Sequence, residues 1–547
     1  MERWYTDTNP STFSITKIIA TISRESEKHL NINYSLETWS VMETEYFLGI
    51  DVGTEGTKVA LFDLQGNIVK DSYEEYELIC RQPGWAEQDP KLWWNVVTRN
   101  IKKVLKLSKV NPGDVAGVGA CGQMHAAIPI DKKGNLIYSS PSLWCDKRSA
   151  LQCEKLKKEI DEEWLLKKTA NPITPAWTAT KILWIKDNLP QIYEKTYKFL
   201  VPKDYIVFKL TDMPSIDLSE ASGTLIFDVN REKWSDELSQ QLEIDLEKMP
   251  EIHFSHEVVG ELSREAAKVT GLRAGTPVVS GGGDFLCTLL GAGITREGRA
   301  ADISGTASLV AFYSNKPLLD RRIMNLHHVV PGWVPFGIME GGLLRWFRDE
   351  FGYIEVQEAA KMRVSAYKIM DGEAETVTSG SDGLIVVPYF MGERVMGSPN
   401  SRGIIFGLTL AHRRAHLIRA LMEGITLALR RTVEIVEVRG LKSSSFRLIG
   451  GGAVSSVWRQ IKADIYGKPT QVLNTYHGGV LGAAMLAMVG VGAKSDILKT
   501  VDEIVYVKET CEPRRGIHET YDKLYETYKS LHDKNQQFFD ELYRLNL

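Results

Sequence analysis

The chain carries one kind of hairpin twice. Near its start it reads Leu48-Gly49-Ile50-Asp51-Val52-Gly53-Thr54-Glu55-Gly56-Thr57-Lys58-Val59-Ala60-Leu61-Phe62, and halfway along it reads Ala301-Asp302-Ile303-Ser304-Gly305-Thr306-Ala307-Ser308-Leu309-Val310-Ala311-Phe312. In each, an apolar strand runs into a Gly-Thr turn and a second apolar strand leaves. Glycine lets the backbone bend and lets a ligand come close to it. Threonine hydroxyls and turn N–H groups are donors suited to phosphate oxygens. One such hairpin also reads as an ordinary glycine turn. Two copies about half a chain apart point to a duplicated pair of domains that grips one nucleotide from both sides.

A chain of 547 residues is long enough for two large domains. The pattern of alternating strands and helices places the first over residues 45–295 and the second over 296–547, with the linker at Ile294–Gly298 as hinge. Residues 1–44 are polar, lack a signal-peptide core and read as an N-terminal extension, with Met42 as an alternative start. Charged residues make up 25% and hydrophobic ones 43%, the balance of an ordinary globular protein, and a net charge of -4 gives no reason to expect a nucleic-acid partner. The six cysteines (80, 121, 145, 153, 287 and 511) show no C-x-x-C spacing and read as reduced thiols of a cytoplasmic protein. The nearly apolar stretch Val480–Ala493 is too short to span a bilayer and predicts a buried, closely packed helix.

Three further segments carry chemistry or architecture. Val278-Val279-Ser280-Gly281-Gly282-Gly283-Asp284 is an apolar run that ends in three glycines and a carboxylate. Aspartate there is also a common helix cap, but between two phosphate hairpins it is placed to take a proton from an attacking hydroxyl. Phe446-Arg447-Leu448-Ile449-Gly450-Gly451-Gly452-Ala453-Val454-Ser455-Ser456 is a strand, a glycine loop and a capped helix. Its helix N–H groups would face a nucleotide. It is neither the dinucleotide fingerprint nor a Walker loop. His416–Val438 keeps apolar residues at helical spacing, with Gly440 as its stop, and Thr520 onward reads as a C-terminal helix.

Taken in order, these segments resemble the FGGY family of carbohydrate kinases over roughly residues 46–535. Gly403, Ile405, Gly407, Leu408, His416, Leu417, Ala420, Leu421, Met422 and Glu423 fit one long family pattern, and Pro175–Trp184 fits another. Within the family the chain looks most like xylulokinases. Trp85-Ala86-Glu87-Gln88-Asp89-Pro90, Gly122-Gln123-Met124-His125, Pro202-Lys203-Asp204-Tyr205 and Ala221-Ser222-Gly223-Thr224 carry that likeness. Glycerol kinases have arginine and glutamate where Met124 and His125 stand. The resemblance implies an α/β protein with the duplicated ribonuclease H-like, actin-like ATPase fold, whose two domains flank a nucleotide and sugar cleft. It implies ATP as co-substrate, Mg2+, and transfer of the γ-phosphate to a hydroxyl of a pentulose, D-xylulose foremost. Another ketose or polyol, and a non-catalytic ATP-binding protein of the same fold, are the alternatives. A homodimer is compatible with it; membrane and nucleic acid are not expected as partners.

The resemblance also assigns the site. Asp284 is the general base and, with Asp51 acting through water, the magnesium carboxylate. Thr54, Thr57 and Lys58 face the terminal phosphates from one side, Gly305 and Thr306 from the other. Gly451, Gly452 and Ser455 lie by the adenosine. Gln123, Met124, His125, Trp144, Asp146 and Asp284 meet the sugar. The chain departs from the xylulokinase pattern at Phe285, where asparagine is usual, and at Cys145, Val395-Met396 and Ala307-Ser308. Phenylalanine offers no hydrogen bond, so Phe285 predicts a pocket that discriminates less among hydroxyl configurations or selects a ligand presenting C–H there, with D-xylulose a modest or non-preferred substrate.

Overall fold

A computed structural model describes residues 45–545, apart from 306, 341, 394 and 395. The N-terminal extension and Thr306 therefore lie outside the described residues. Two seven-stranded sheets organise the rest. The first hairpin becomes strands β1 (Tyr46–Val52) and β2 (Gly56–Phe62), antiparallel, with Asp51 opposite Lys58 and Val52 opposite Thr57. Strand β3 (Ile68–Glu75) extends the sheet on one side and β4 (Val115–Gly122) pairs in parallel with β1 on the other. Pro277–Val279 and Val258–Glu261 complete it beyond β4, and the two residues Gly282–Gly283 also join β4. β1 and β4 are buried almost throughout, as parallel strands covered on both faces must be.

The second hairpin opens a second sheet of matching plan. Arg299–Ser304 pairs antiparallel with Ala307–Phe312 and parallel with Ser445–Gly450. The spatial order is Met324–His327, Trp333–Glu340, Ala307–Phe312, Arg299–Ser304, Ser445–Gly450, Thr470–Leu473, Val507–Cys511.

Helices fill the faces. Helix α1 (Pro90–Ser108) starts where Asp89 accepts from Lys91 N–H and Pro90 supplies a preset first turn. Trp93, Val97, Ile101 and Val104 recur at helical spacing on its buried face. Helix α2 (Asp284–Gly291) begins with the candidate base itself. Helix α3 (Arg414–Val438) starts two residues before the apolar pattern does, because His416 Nδ1 accepts from Arg413 N–H at its entry. Helix α4 (Ser456–Tyr466) follows the glycine loop. The expected C-terminal helix is two helices, Arg515–Lys534 and Gln536–Arg544. Asn535 breaks them: its side-chain amide donates to Leu531 O at 2.6 Å, competing with the backbone ladder.

Helix α5 (Gly478–Gly490) is apolar on every side and buried along most of its length, as its sequence predicts. It comes from the second half of the chain, yet it packs on β1 and β4 of the first sheet and on α2. Glycines make the approach possible. A β-carbon on Gly49 would stand 2.1 Å from Val480 O, on Gly119 2.0 Å from Ala483 O, and on Gly482 2.1 Å from Cys287 O. No helix among the described residues is long and apolar enough to cross a membrane, and all six cysteines are free.

Candidate active site

Two carboxylates end up beside each other because two strands of one sheet deliver them. Asp51 is the penultimate residue of β1, and Asp284 follows Gly282–Gly283, which pair with Cys121 and Gly122 of β4, the strand next to β1. Gly281 sits at φ +75° with Ala120 O where a β-carbon would be, 1.9 Å away, so only glycine makes this turn. Burial raises the Asp51 carboxyl to about 7, the charge of Asp284 adding to it, against the Cys121 thiol and Lys58. Asp284 is raised to about 6 by burial, opposed by its hydrogen bond from Phe285 N–H at 2.6 Å. Asp51 Oδ1 is buried without a hydrogen-bond partner. The first turn of α5 lies over its other oxygen: a β-carbon on Gly479 would stand 2.6 Å from Oδ2.

Hydrogen bonds tie the phosphate hairpin to the segment read as sugar-contacting. Thr54 Oγ1 accepts from the Trp144 indole N–H at 3.0 Å and donates to Gln123 Oε1 at 3.3 Å. Gln88 Nε2 donates to Thr54 O at 2.8 Å, and Gln88 Oε1 accepts from both Gln123 Nε2 (2.9 Å) and Trp93 Nε1 (3.0 Å). Trp144 thus meets the hairpin. Thr57 departs from expectation: it is fully buried, its hydroxyl turned to Tyr76 Oη at 3.2 Å, because its strand position points into the core. Lys58 is held between Asp71 (3.1 Å) and His477 Nδ1 (2.8 Å). Asp146 is also buried. Its carboxylate takes Arg148 (2.7 and 2.9 Å) and Ala86 N–H (2.6 Å), so it is spent on bracing two loops.

Met124 and His125 continue from Gln123. A β-carbon on Gly283 would stand 2.6 Å from Met124 Cε, which puts Met124 beside the residue before Asp284. His125 adopts φ +67° and sets its ring edge-on to Trp177, centroids 4.9 Å apart. A β-carbon on Gly223 would stand 2.4 Å from its Cε1. Burial, with Lys181 adding, lowers its imidazole to about 3, and Nδ1 is buried without a partner. Phe285 turns its ring onto Phe336 of the second sheet, centroids 5.0 Å apart.

The sequence reading gave no role to a buried charge cluster behind Gly282–Gly283. Lys203 Nζ lies 2.6 Å from Asp204 and 2.9 Å from Asp217, and donates to Ser280 O at 2.8 Å. Burial pushes Asp204 up to about 7 and Glu220 well above the carboxylate range. Charged residues inside helices of apolar neighbours, Lys203-Asp204 and Glu220, are the signal that marks it.

On the second sheet, Ser304, Gly305, Gly451 and Ser455 line one cavity of about 820 Å3, with Met339, Leu343, Met422 and Trp458 as apolar walls. Ser455 caps α4 by accepting from Trp458 N–H and donates to Asp371 at 2.8 Å. Gly452 lies behind the lining, where a β-carbon would strike Lys462 Nζ at 2.6 Å. That lysine is buried against Asp302 and Ser304. Asp302 also accepts from Tyr466 at 2.7 Å.

Two sheets of one plan, two glycine hairpins, a carboxylate pair and an apolar cavity beside a glycine loop define a two-domain kinase of the actin-like ATPase fold. Family models agree: that of the FGGY carbohydrate kinases, N-terminal domain, matches residues 46–291, and that of the C-terminal domain matches 301–491. The chain is 30% identical over 495 residues to the xylulose kinase of Bacillus subtilis (strain 168), covering 89% of this chain and 97% of that one. It is 31% identical to the gluconokinase of the same organism over 473 residues, 84% and 90% of the two chains. The crystal structure of xylulose kinase from Rhodospirillum rubrum superposes with a TM-score of 0.82 at 30% identity, over 91% of this chain and all of that one. The chain belongs to the FGGY family of carbohydrate kinases, enzymes that phosphorylate an alcohol group, and ATP is the co-substrate that membership implies.

Proposed function

We propose that this carbohydrate kinase phosphorylates a pentulose, D-xylulose to D-xylulose 5-phosphate. The observation that carries the reading is the meeting of three parts: hydrogen bonds join Thr54 of the first hairpin to Gln123, the following Met124 lies against Gly283, and Asp284 comes directly after that glycine. The likeness to xylulose kinases supports the choice of acceptor. The domain boundary is placed between residues 295 and 296.

In this reading Asp284 takes the proton of the attacking hydroxyl, and its raised proton affinity suits that task. Met124 packs on the sugar, and the orphaned Nδ1 of neutral His125 serves as hydrogen-bond partner for a sugar hydroxyl. Gly305, Gly451 and Ser455 hold the nucleotide in the cavity they line, with Thr306 beyond Gly305. Thr54 presents its backbone N–H, since its hydroxyl proton is engaged by Gln123. Lys58 presents its ammonium to the terminal phosphates. The buried, unpartnered Asp51 Oδ1 fits a hydrated magnesium ion, which keeps several waters and takes few carboxylates. Asp51 and Asp284 would hold that ion, and it would neutralise charge on the phosphate oxygens. Closure of the two domains keeps water from the activated phosphate.

ADP release measured with D-xylulose, D-ribulose, gluconate and glycerol tests the reading. A kcat/KM for D-xylulose above that for the other acceptors is expected. A higher value for gluconate would move the protein to the gluconokinase branch. ATP binding with no acceptor-dependent ADP release from any sugar would favour the non-catalytic alternative. Asp51→Asn is expected to shift the Mg2+ concentration needed for half-maximal turnover upward while sugar KM stays put.

A further inference from the structure

Sequence alone brings Lys58 to the phosphates with nothing to hold it there. The structure supplies the hold. Lys58 stands directly opposite Asp51 in the β1–β2 register, so the two side chains share one face of the sheet. Its ammonium is caught between Asp71 Oδ2 at 3.1 Å and His477 Nδ1 at 2.8 Å. His477 lies 419 residues along the chain, as the residue that enters α5.

An ammonium has three N–H donors and no acceptor. His477 Nδ1 must therefore accept, which places the ring proton on Nε2 and keeps the imidazole neutral. Asp71 takes a second N–H, and the third remains for a phosphate oxygen. A free lysine side chain loses rotamer freedom when it is fixed. Here that ordering precedes the nucleotide, so the phosphates meet an ammonium already in place.

We propose that His477 is a positioning residue of the phosphate-transfer site, a neutral acceptor that holds the Lys58 ammonium beside Asp51 for the terminal phosphates of ATP. The inference rests on the kinase reading above and deepens it. His477 makes no side-chain cap to its own helix, so its side chain can be changed without removing a cap from α5. Asp71, on β3, is the outer anchor and is partly exposed, 41% of its side chain.

The test is binding of a non-hydrolysable ATP analogue with Mg2+, read by calorimetry, together with KM and kcat for MgATP and for sugar. His477→Leu is expected to weaken analogue binding and raise the MgATP KM by about five- to tenfold, with sugar KM within twofold of wild type. His477→Asn, whose Oδ1 occupies the position of Nδ1 and accepts as it does, should restore most of the loss. In a Lys58→Met background the His477→Leu effect should vanish. Asp71→Asn should give a smaller loss of the same kind, and it carries the test if His477→Leu folds poorly. Unchanged analogue affinity in His477→Leu, or an equal loss in the Lys58→Met background, overturns the proposal. Because the readout is nucleotide binding, it stands apart from the kinase reading: a wild type that binds the analogue but phosphorylates no sugar defeats that reading and leaves this test intact.

Discussion

At the scale of single residues, the two raised carboxylates carry the proposed activity and a cost in stability. Asp284→Ala should lower turnover by roughly 10²–10⁴-fold while ATP still binds; near-normal turnover in a folded variant would remove Asp284 from the role of base. Asp284 must be ionised to accept a proton, so kcat/KM should fall as pH drops below about 6. The stability consequence has the opposite sense. Its folded pKa lies above the ordinary 3.8, so between those values the folded state holds more protons than the unfolded one, and stability decreases as pH rises through that window. Asp284→Asn should therefore raise Tm more at pH 8 than at pH 5 in thermal scans; an equal shift at both would refute the argument. Trp144→Phe removes the indole N–H from Thr54 and little else, and should raise the MgATP KM more than the sugar KM in steady-state kinetics. Asp51 and Asp284 stood out in the sequence because each sits at a glycine turn or strand end, and Gln123 and His125 because their segment resembles the family's sugar-contacting motif. The link from Gln88 to Thr54 and the role of His477 were not legible there, since those partners lie 34 and 419 residues away and no local pattern announces the meeting.

Among the elements, α5 is the one most constrained by what it touches. Its backbone lies against the backbones of β1, β4 and α2 where glycine leaves room. Gly119→Val would drive a side chain into Ala483 O. A loss of about 1–3 kcal/mol, the range for overpacking, is expected from denaturant unfolding, and a change below about 0.5 kcal/mol would show that α5 can shift. The helix was legible as a buried one because it is small and apolar all round. That it covers the first sheet was not, because composition says how closely a helix can pack and not against which strand. The paired strands of both hairpins were legible, since an apolar run on each side of a Gly-Thr turn favours an antiparallel pair. The C-terminal break at Asn535 was not: asparagine inside a helical pattern is tolerated until its amide finds the carbonyl four residues back.

For the molecule as a whole, a duplicated pair of domains was readable from the two hairpins and the chain length. The acceptor is a different matter. Phe285 looked from the sequence like a loss of polar contact with sugar, while in the structure its ring meets Phe336 across the junction of the two sheets. Phe285→Asn should then lower Tm in thermal scans, and a variant of unchanged Tm would argue that the ring faces ligand instead. The placement of α5 has one more consequence. A helix encoded after residue 477 lies on β1 and β4, which are encoded before residue 123. Cutting the chain between 295 and 296 therefore does not yield two self-sufficient proteins. Expressed alone, the leading fragment would lack a helix over the strands that carry Asp51 and would leave the Gly49–Gly119 furrow bare; expressed together, the fragments should recognise each other and regain ADP release. The gene for this kinase is divisible into halves, but its folding is not.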